Sequence, residues 1–312
     1  MHVLLFLIAT GGCAAIDERV ATYGELSAAI ELDSTPFYPQ ERFQCGPAAL
    51  TTILEASGTD ASIDAVTSLV FIPAREGSLQ AEILGATRAN ERIPYQIDGS
   101  LSALIAELEA GRPILVLQNL GVNWRPAWHY AVVIGVDPEA DNVVLRSGTE
   151  PRRITPTRTF LRTWKRADFW GIVALRPGTL PAIPDRERFL SSLANFERVG
   201  HADVAYSSWQ AAVDAWPHDT GALFGLASAA FTRGRYAEAE THYRGLLEMR
   251  PDNHAARNNL AYALAWQGRP NEALEEIEQI LLAVDSDDPF RSDYEDSWSE
   301  IAAMLPPEKN IW

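Results

Sequence analysis

The chain has 312 residues, of which 47% are hydrophobic, enough for two domains with cores of their own. Its 42 Asp and Glu against 26 Lys and Arg give a net charge of −16 and a pI near 4.8, which argues against nucleic acid and against anionic lipid surfaces as partners. Two cysteines provide no disulfide framework.

Residues 3 to 12 form an apolar run too short to span a bilayer but of the length of a signal-peptide core, and Cys13 follows directly. Small residues before a cysteine resemble the bacterial lipoprotein processing site. On that reading 1–12 is a signal peptide and Cys13 carries lipid. The protein would then be anchored in the bacterial cell envelope, facing the periplasm, with a secreted soluble form or an unprocessed cytosolic chain as alternatives. Thr10 stands where Leu is usual, and the n-region has no Lys or Arg. Residues 13–35 are polar with some alanine and read as a tether to a domain that starts near Pro36.

Within that domain the stretch from Phe37 to Leu50 sets a lone cysteine at a helix start. Ala49, Leu50, Ile53 and Leu54 keep helical spacing, Pro47 suits a first turn, and Gly58 ends the run. Cys45 then lies just before a helix N-terminus, where unpaired amides and the positive dipole end favour thiolate over thiol. A buried inert thiol, or a disulfide with Cys13, would also account for it.

Further helical stretches follow at Ser62 to Val70, Ser78 to Asn90 and Ser100 to Ala110, with a short strand at Ile93 to Ile97. Strands are expected at Pro113 to Gln118, His129 to Asp137, Asn142 to Arg146 and Phe169 to Leu175. Helices first and an antiparallel sheet afterwards is an α+β order. His129 opens the apolar strand that runs to Gly135, so a rigid element would hold its imidazole. The loop Asn119 to Trp128 places two tryptophans immediately before it. They read equally as a wall gripping an extended peptide or as a cover for the core edge. Arg146, Arg152 and Arg153 read as surface charges.

Gln40 with Cys45-Gly46-Pro47, and His129 with Tyr130-Ala131-Val132-Val133-Ile134-Gly135, resemble the papain-like peptidases that cut double-glycine leaders off bacteriocin precursors. The resemblance covers roughly residues 36–176. It implies Cys45 as nucleophile, His129 as general base and then acid, and Gln40 as an oxyanion-hole donor. Gln40 lies five residues before Cys45, slightly closer than the family spacing, and adjacent Gln44 is the competitor. Where the family has an Asp followed by Pro to orient the histidine, this chain reads Ser147-Gly148, and Ser147 could accept a hydrogen bond from the imidazole. No metal-ligand or phosphate-binding motif is present, so neither metal nor cofactor is expected.

Residues 177–185 carry a cluster of prolines and read as a linker. Beyond it Gly200, Gly234 and Gly268 recur every 34 residues, as do Ala205, Ala239 and Ala273. This period resembles tetratricopeptide repeats, with units at 186–219, 220–253 and 254–287 and an acidic capping tail at 288–312. The repeats imply a groove for a protein partner, or a prop for the first domain. His201, His218, His242 and His254 read as solvated repeat positions.

The fold class expected is therefore an α+β papain-like peptidase domain followed by an all-α repeat solenoid. The function expected is a cell-envelope cysteine peptidase acting on a peptide or protein through a thioester. A non-catalytic peptide-binding scaffold, or a transpeptidase or acyltransferase using the same thioester, is the alternative.

Overall fold

The computed structural model describes residues 23–39, 44–200 and 202–305. The expected signal segment, Cys13 and Gln40 lie outside the described residues. Two compact units result. One runs to Ala56 and takes in Ser62–Leu79 and Gln96–Val173; the other comprises Ser57–Ala61, Gln80–Tyr95 and the chain from Ala174 onward.

The elements in order are β1 (Ile30–Glu31), α1 (Cys45–Ala56), α2 (Ile63–Val70), α3 (Gln80–Ala89), β2 (Ile93–Gln96), α4 (Leu101–Glu109), β3 (Ile114–Asn119), β4 (Trp128–Asp137), β5 (Asn142–Ser147), β6 (Glu150–Pro156), α5 (Thr157–Lys165) and β7 (Gly171–Leu175). The strands form one sheet in the order β2-β7-β3-β4-β5-β6, with β1 beside the far end of β4. Every residue of β3 and β7 is buried; β7 and the first four residues of β3 are the unbroken apolar sequence of strands covered on both faces, and β3 ends in the buried amides of Gln118 and Asn119. Helix α1 is buried from Gly46 to Leu54 without a polar stripe, the pattern of a helix enclosed on all sides.

The sheet begins earlier in the chain than the tether reading placed it. Ile30 and Glu31 pair with Val136 and Gly135, and a Cβ on Gly135 would lie 3.1 Å from the Glu31 Cα, so only glycine allows the approach. Further upstream the Tyr23 hydroxyl is 2.7 Å from Asp141 Oδ1 and 2.6 Å from Thr157 Oγ1. Two of the three arginines read as surface charges are structural. Arg146 donates to the carbonyls of Asp33, Thr35 and Pro151, and Arg152 grips both oxygens of Glu31 at 2.7 and 2.8 Å.

Strand β6 and helix α5 have no counterpart in the sequence reading. The strand is an exposed edge with a proline near each end, so it shows no alternation to detect. The helix did carry a signal: Phe160, Leu161 and Trp164 are its buried face, between Arg158, Arg162 and Lys165.

The second unit continues as α6 (Arg186–Glu197), α7 (Ala202–Ala215), α8 (Thr220–Thr232), α9 (Tyr236–Met249), α10 (His254–Trp266), α11 (Pro270–Ala283) and α12 (Arg291–Ala302). Gly200, Gly234 and Gly268 sit in the turns inside successive helix pairs with φ of +104°, +72° and +78°, a conformation that costs glycine little. Ala239 and Ala273 are fully buried where helices approach closely, and Ile301 of α12 joins the same core as the expected cap. The proline-rich segment is tied down within this unit. Tyr95 Oη donates to the Ile183 carbonyl at 3.3 Å and accepts from Asp185 N–H at 3.0 Å, and Gly178 N–H reaches Ser208 Oγ at 2.7 Å. His254 is not simply solvated, because its ring stands edge-on to Tyr294 with centroids 6.5 Å apart.

Candidate active site

Cys45 is the first residue of α1, one step inside the expected helix start. The carbonyl of Gln44 accepts the first helical bond, from Ala48 N–H at 3.2 Å. Pro47 fits in that turn because an amide there would have no helical partner. A Cβ on Gly46 would lie 2.6 Å from Ser78 Cβ and 3.6 Å from the Tyr130 ring, so the glycine lets the helix start seat itself between the 72–79 loop and β4. Cys45 is a free thiol.

The thiol is met by the backbone N–H of Tyr130, the residue after His129, and by the amides of Gly46 and of Cys45 itself. Those amides lower its pKa, as the helix-start argument requires. Burial is the larger influence, however, and pushes the thiol above its ordinary value. The net direction is thus toward the neutral thiol, against what the helix-start amides favour.

His129 stands on β4 directly opposite Gln118 of β3, whose amide donates to Thr163 Oγ1 at 2.7 Å. The imidazole Nε2 is 2.8 Å from Ser147 Oγ on β5, which is the contact available to the residue in the orienting position. With Nε2–H donating to that hydroxyl, Nδ1 carries the lone pair and is the atom able to take a proton. Burial, and secondly the charge of Arg153, push His129 down to about 4. A carboxylate would have raised it; serine offers orientation without charge. Both shifts run toward the uncharged forms, imidazole and thiol.

The loop between β3 and β4 is built rather than slack. Asn119 Oδ1 accepts from Gly121 N–H and Ala127 N–H, both at 3.0 Å, and Val122 and Arg125 exchange backbone bonds. Arg166 donates to the carbonyls of Asn119 and Gly121. Trp124 and Trp128 are 83% and 56% exposed, so they do not cover the core edge. Together with Arg166 the loop lines an open hollow of about 490 Å³. Among the described residues no group of three or more His, Cys, Asp or Glu is placed to hold a metal ion.

A cysteine opening a buried helix against an antiparallel sheet that carries a histidine is the architecture of the papain-like class. Residues 32–171 match the Peptidase_C39 like family, and residues 195–254 and 230–292 match tetratricopeptide repeats. The chain is thus a C39-like α+β domain followed by a run of tetratricopeptide-type helices. Among solved structures, a C39-like peptidase from Bacillus anthracis is 15% identical over 46% of this chain and 96% of its own, with a TM-score of 0.39. The Yersinia enterocolitica type III secretion translocator chaperone SycD is 19% identical over 38% of this chain and 81% of its own, with a TM-score of 0.36. No curated protein matches the chain significantly.

Proposed function

We propose that the protein is a cysteine peptidase in which Cys45 attacks a peptide carbonyl while His129 takes the thiol proton during the attack. The observation that carries this reading is the seating of Cys45 at the start of α1, with its thiol bonded to Tyr130 N–H beside His129. As the Sγ–carbon bond forms, the proton moves to imidazole Nδ1. The imidazolium then returns it to the leaving amine as the C–N bond breaks, leaving a thioester that water hydrolyses with His129 again as base. Backbone amides at the helix start, with Gln40 as the further donor, would meet the oxyanion. The repeats would recruit the protein substrate or a partner along their groove. The same thioester passed to an amine would make a transferase.

The raised thiol, the depressed imidazole and Ser147 in place of a carboxylate favour a second reading, a peptidase-shaped binding protein. A pH series from about 4 to 10 separates the two, following iodoacetamide alkylation of Cys45 and cleavage of a synthetic peptide library. Cleavage abolished in Cys45→Ala and reduced about a hundredfold or more in His129→Ala is expected. Alkylation should climb only on the alkaline side of the ordinary thiol range near 8.5. Cleavage absent from the unaltered protein leaves the binding reading. A reactive thiolate near pH 5 to 6 that vanishes with His129 would replace the neutral pair by an ion pair.

For location we propose lipid anchoring in the cell envelope through Cys13, supported by the apolar run that precedes it. The unaltered protein should fractionate with membranes and Cys13→Ala should not; identical fractionation removes the proposal.

A further inference from the structure

Six Lys or Arg and no Asp or Glu lie between Pro151 and Ala167, and no Asp or Glu lies between Asn119 and Tyr130, in a chain whose net charge is −16. These two stretches meet at Arg166, which ends the α5 segment and donates to the carbonyls of Asn119 and Gly121 in the β3–β4 loop. The cavity at that junction is lined by Leu120, Val122, Pro126, Arg125 and Arg166 among others, and it ends at Ala127, two residues before His129. Leu120 and Val122 are about half exposed, and Trp124 and Trp128 stand out beside them.

Cations this close together usually neutralise one another through carboxylates. Here, among the described residues, neither Arg125 nor Arg166 has a carboxylate partner. The lining combines apolar Leu120, Val122 and Pro126 with the cationic Arg125 and Arg166, so the complementary guest is an extended chain with apolar residues and at least one carboxylate. The loop is also rigid enough to select. Arg166 and Asn119 pin both of its sides, and a Cβ on Gly121 would lie 2.8 Å from Ala127 N, so the turn closes only with glycine there. A pocket of this size accepts one or two side chains of a peptide, within the usual range for small-ligand sites.

We propose that the cavity formed by the β3–β4 loop and Arg166 is a specificity subsite that takes an acidic residue of the peptide substrate, with Arg125 as its reading group. This rests on the peptidase reading for the word substrate, and it adds what that reading lacks, a preference. Arg125 is the group to vary, because its loop bonds are backbone bonds that any side chain keeps, whereas Arg166 also holds the loop together.

The experiment uses full-length protein carrying Cys45→Ala, immobilised, to capture peptides from a synthetic decapeptide library randomised at every position. A matched Cys45→Ala, Arg125→Glu protein is run beside it, with thermal melts confirming that both fold alike. Expected is enrichment of Asp and Glu by about fivefold over the input pool, equivalent to about 1 kcal/mol. Raising salt should weaken it, and the Arg125→Glu protein should abolish it or turn it toward Lys and Arg. Absent enrichment, or enrichment unchanged by Arg125→Glu, overturns the subsite. Equally effective competition by poly-uridylate overturns it too, in favour of a general polyanion surface. Because capture needs no catalysis, acidic enrichment without any cleavage by the Cys45 protein would uphold the subsite while sinking the peptidase reading. Cleavage with no acidic preference would do the reverse.

Discussion

The sheet unit and the repeat helix pairs are held together over very different distances along the chain. In the sheet unit Arg146 binds carbonyls 111 and 113 residues upstream, Arg152 grips Glu31 across 121 residues, and Tyr23 reaches Thr157 across 134. In the helix pairs Ser228 meets Tyr243 across 15 residues, Arg257 meets Glu276 across 19 and Arg269 meets Glu240 across 29. A unit closed by distant partners must be complete before Cys45, β4 and the β3–β4 loop take their places. An array closed by neighbours is a sum of local terms. The site is therefore mounted on the half in which a single lesion is felt everywhere.

The largest expected effect tests that claim in the sheet unit. Trp164 is fully buried, donates Nε1–H to the Trp170 carbonyl at 2.9 Å and stands edge-on to Phe169 with centroids 5.2 Å apart. Trp164→Ala removes the ring and a satisfied donor together, at a cost of about 3–5 kcal/mol. Near-UV circular dichroism should show the sheet unit melting earlier, and Cys45 should become fully accessible to a thiol reagent at the same temperature, while the far-UV helix signal of the repeats persists. A melt that moves the helices equally, or leaves Cys45 protected, would break the contrast between the halves.

The same contrast explains what could be read from the amino acids alone. Gly200, Gly234 and Gly268 solve one problem three times at a fixed step, so the helix pairs announce themselves before any contact is known. Cys45 and His129 were also visible, because a helix start and a strand start are local patterns. Hidden were the solutions used once and paired at long range. Nothing in the residues around Ile30 says that they lie beside Gly135, and nothing in Arg146 says that it holds residues 33 to 35. The edge strand β6 was hidden because an exposed strand with prolines has no buried face to betray it. The upward push on the Cys45 thiol was hidden for a related reason. Helix-start amides are a local property, but the burial that outweighs them at Cys45 comes from the whole fold.

The smallest expected effect sharpens the comparison from the side of the repeats. A Cβ on Gly234 or Gly268 would meet nothing within 4 Å, so replacement by alanine at either position disturbs no neighbour. What remains is the backbone, held at φ of +72° and +78°, where an L side chain strains by about 1–2 kcal/mol. The smaller entropy of the unfolded alanine chain partly offsets this, leaving a net destabilisation of about 1 kcal/mol for each substitution. The two turns belong to successive helix pairs and share no partner. In a sum of local terms the double variant should lose the two single effects added together, within about 0.5 kcal/mol. Urea melts of the two single variants and the double variant measure this directly. A double variant losing distinctly more than the sum would mean that the helix pairs are as tightly coupled as the sheet, and the distance over which partners are paired would no longer explain how the two halves differ.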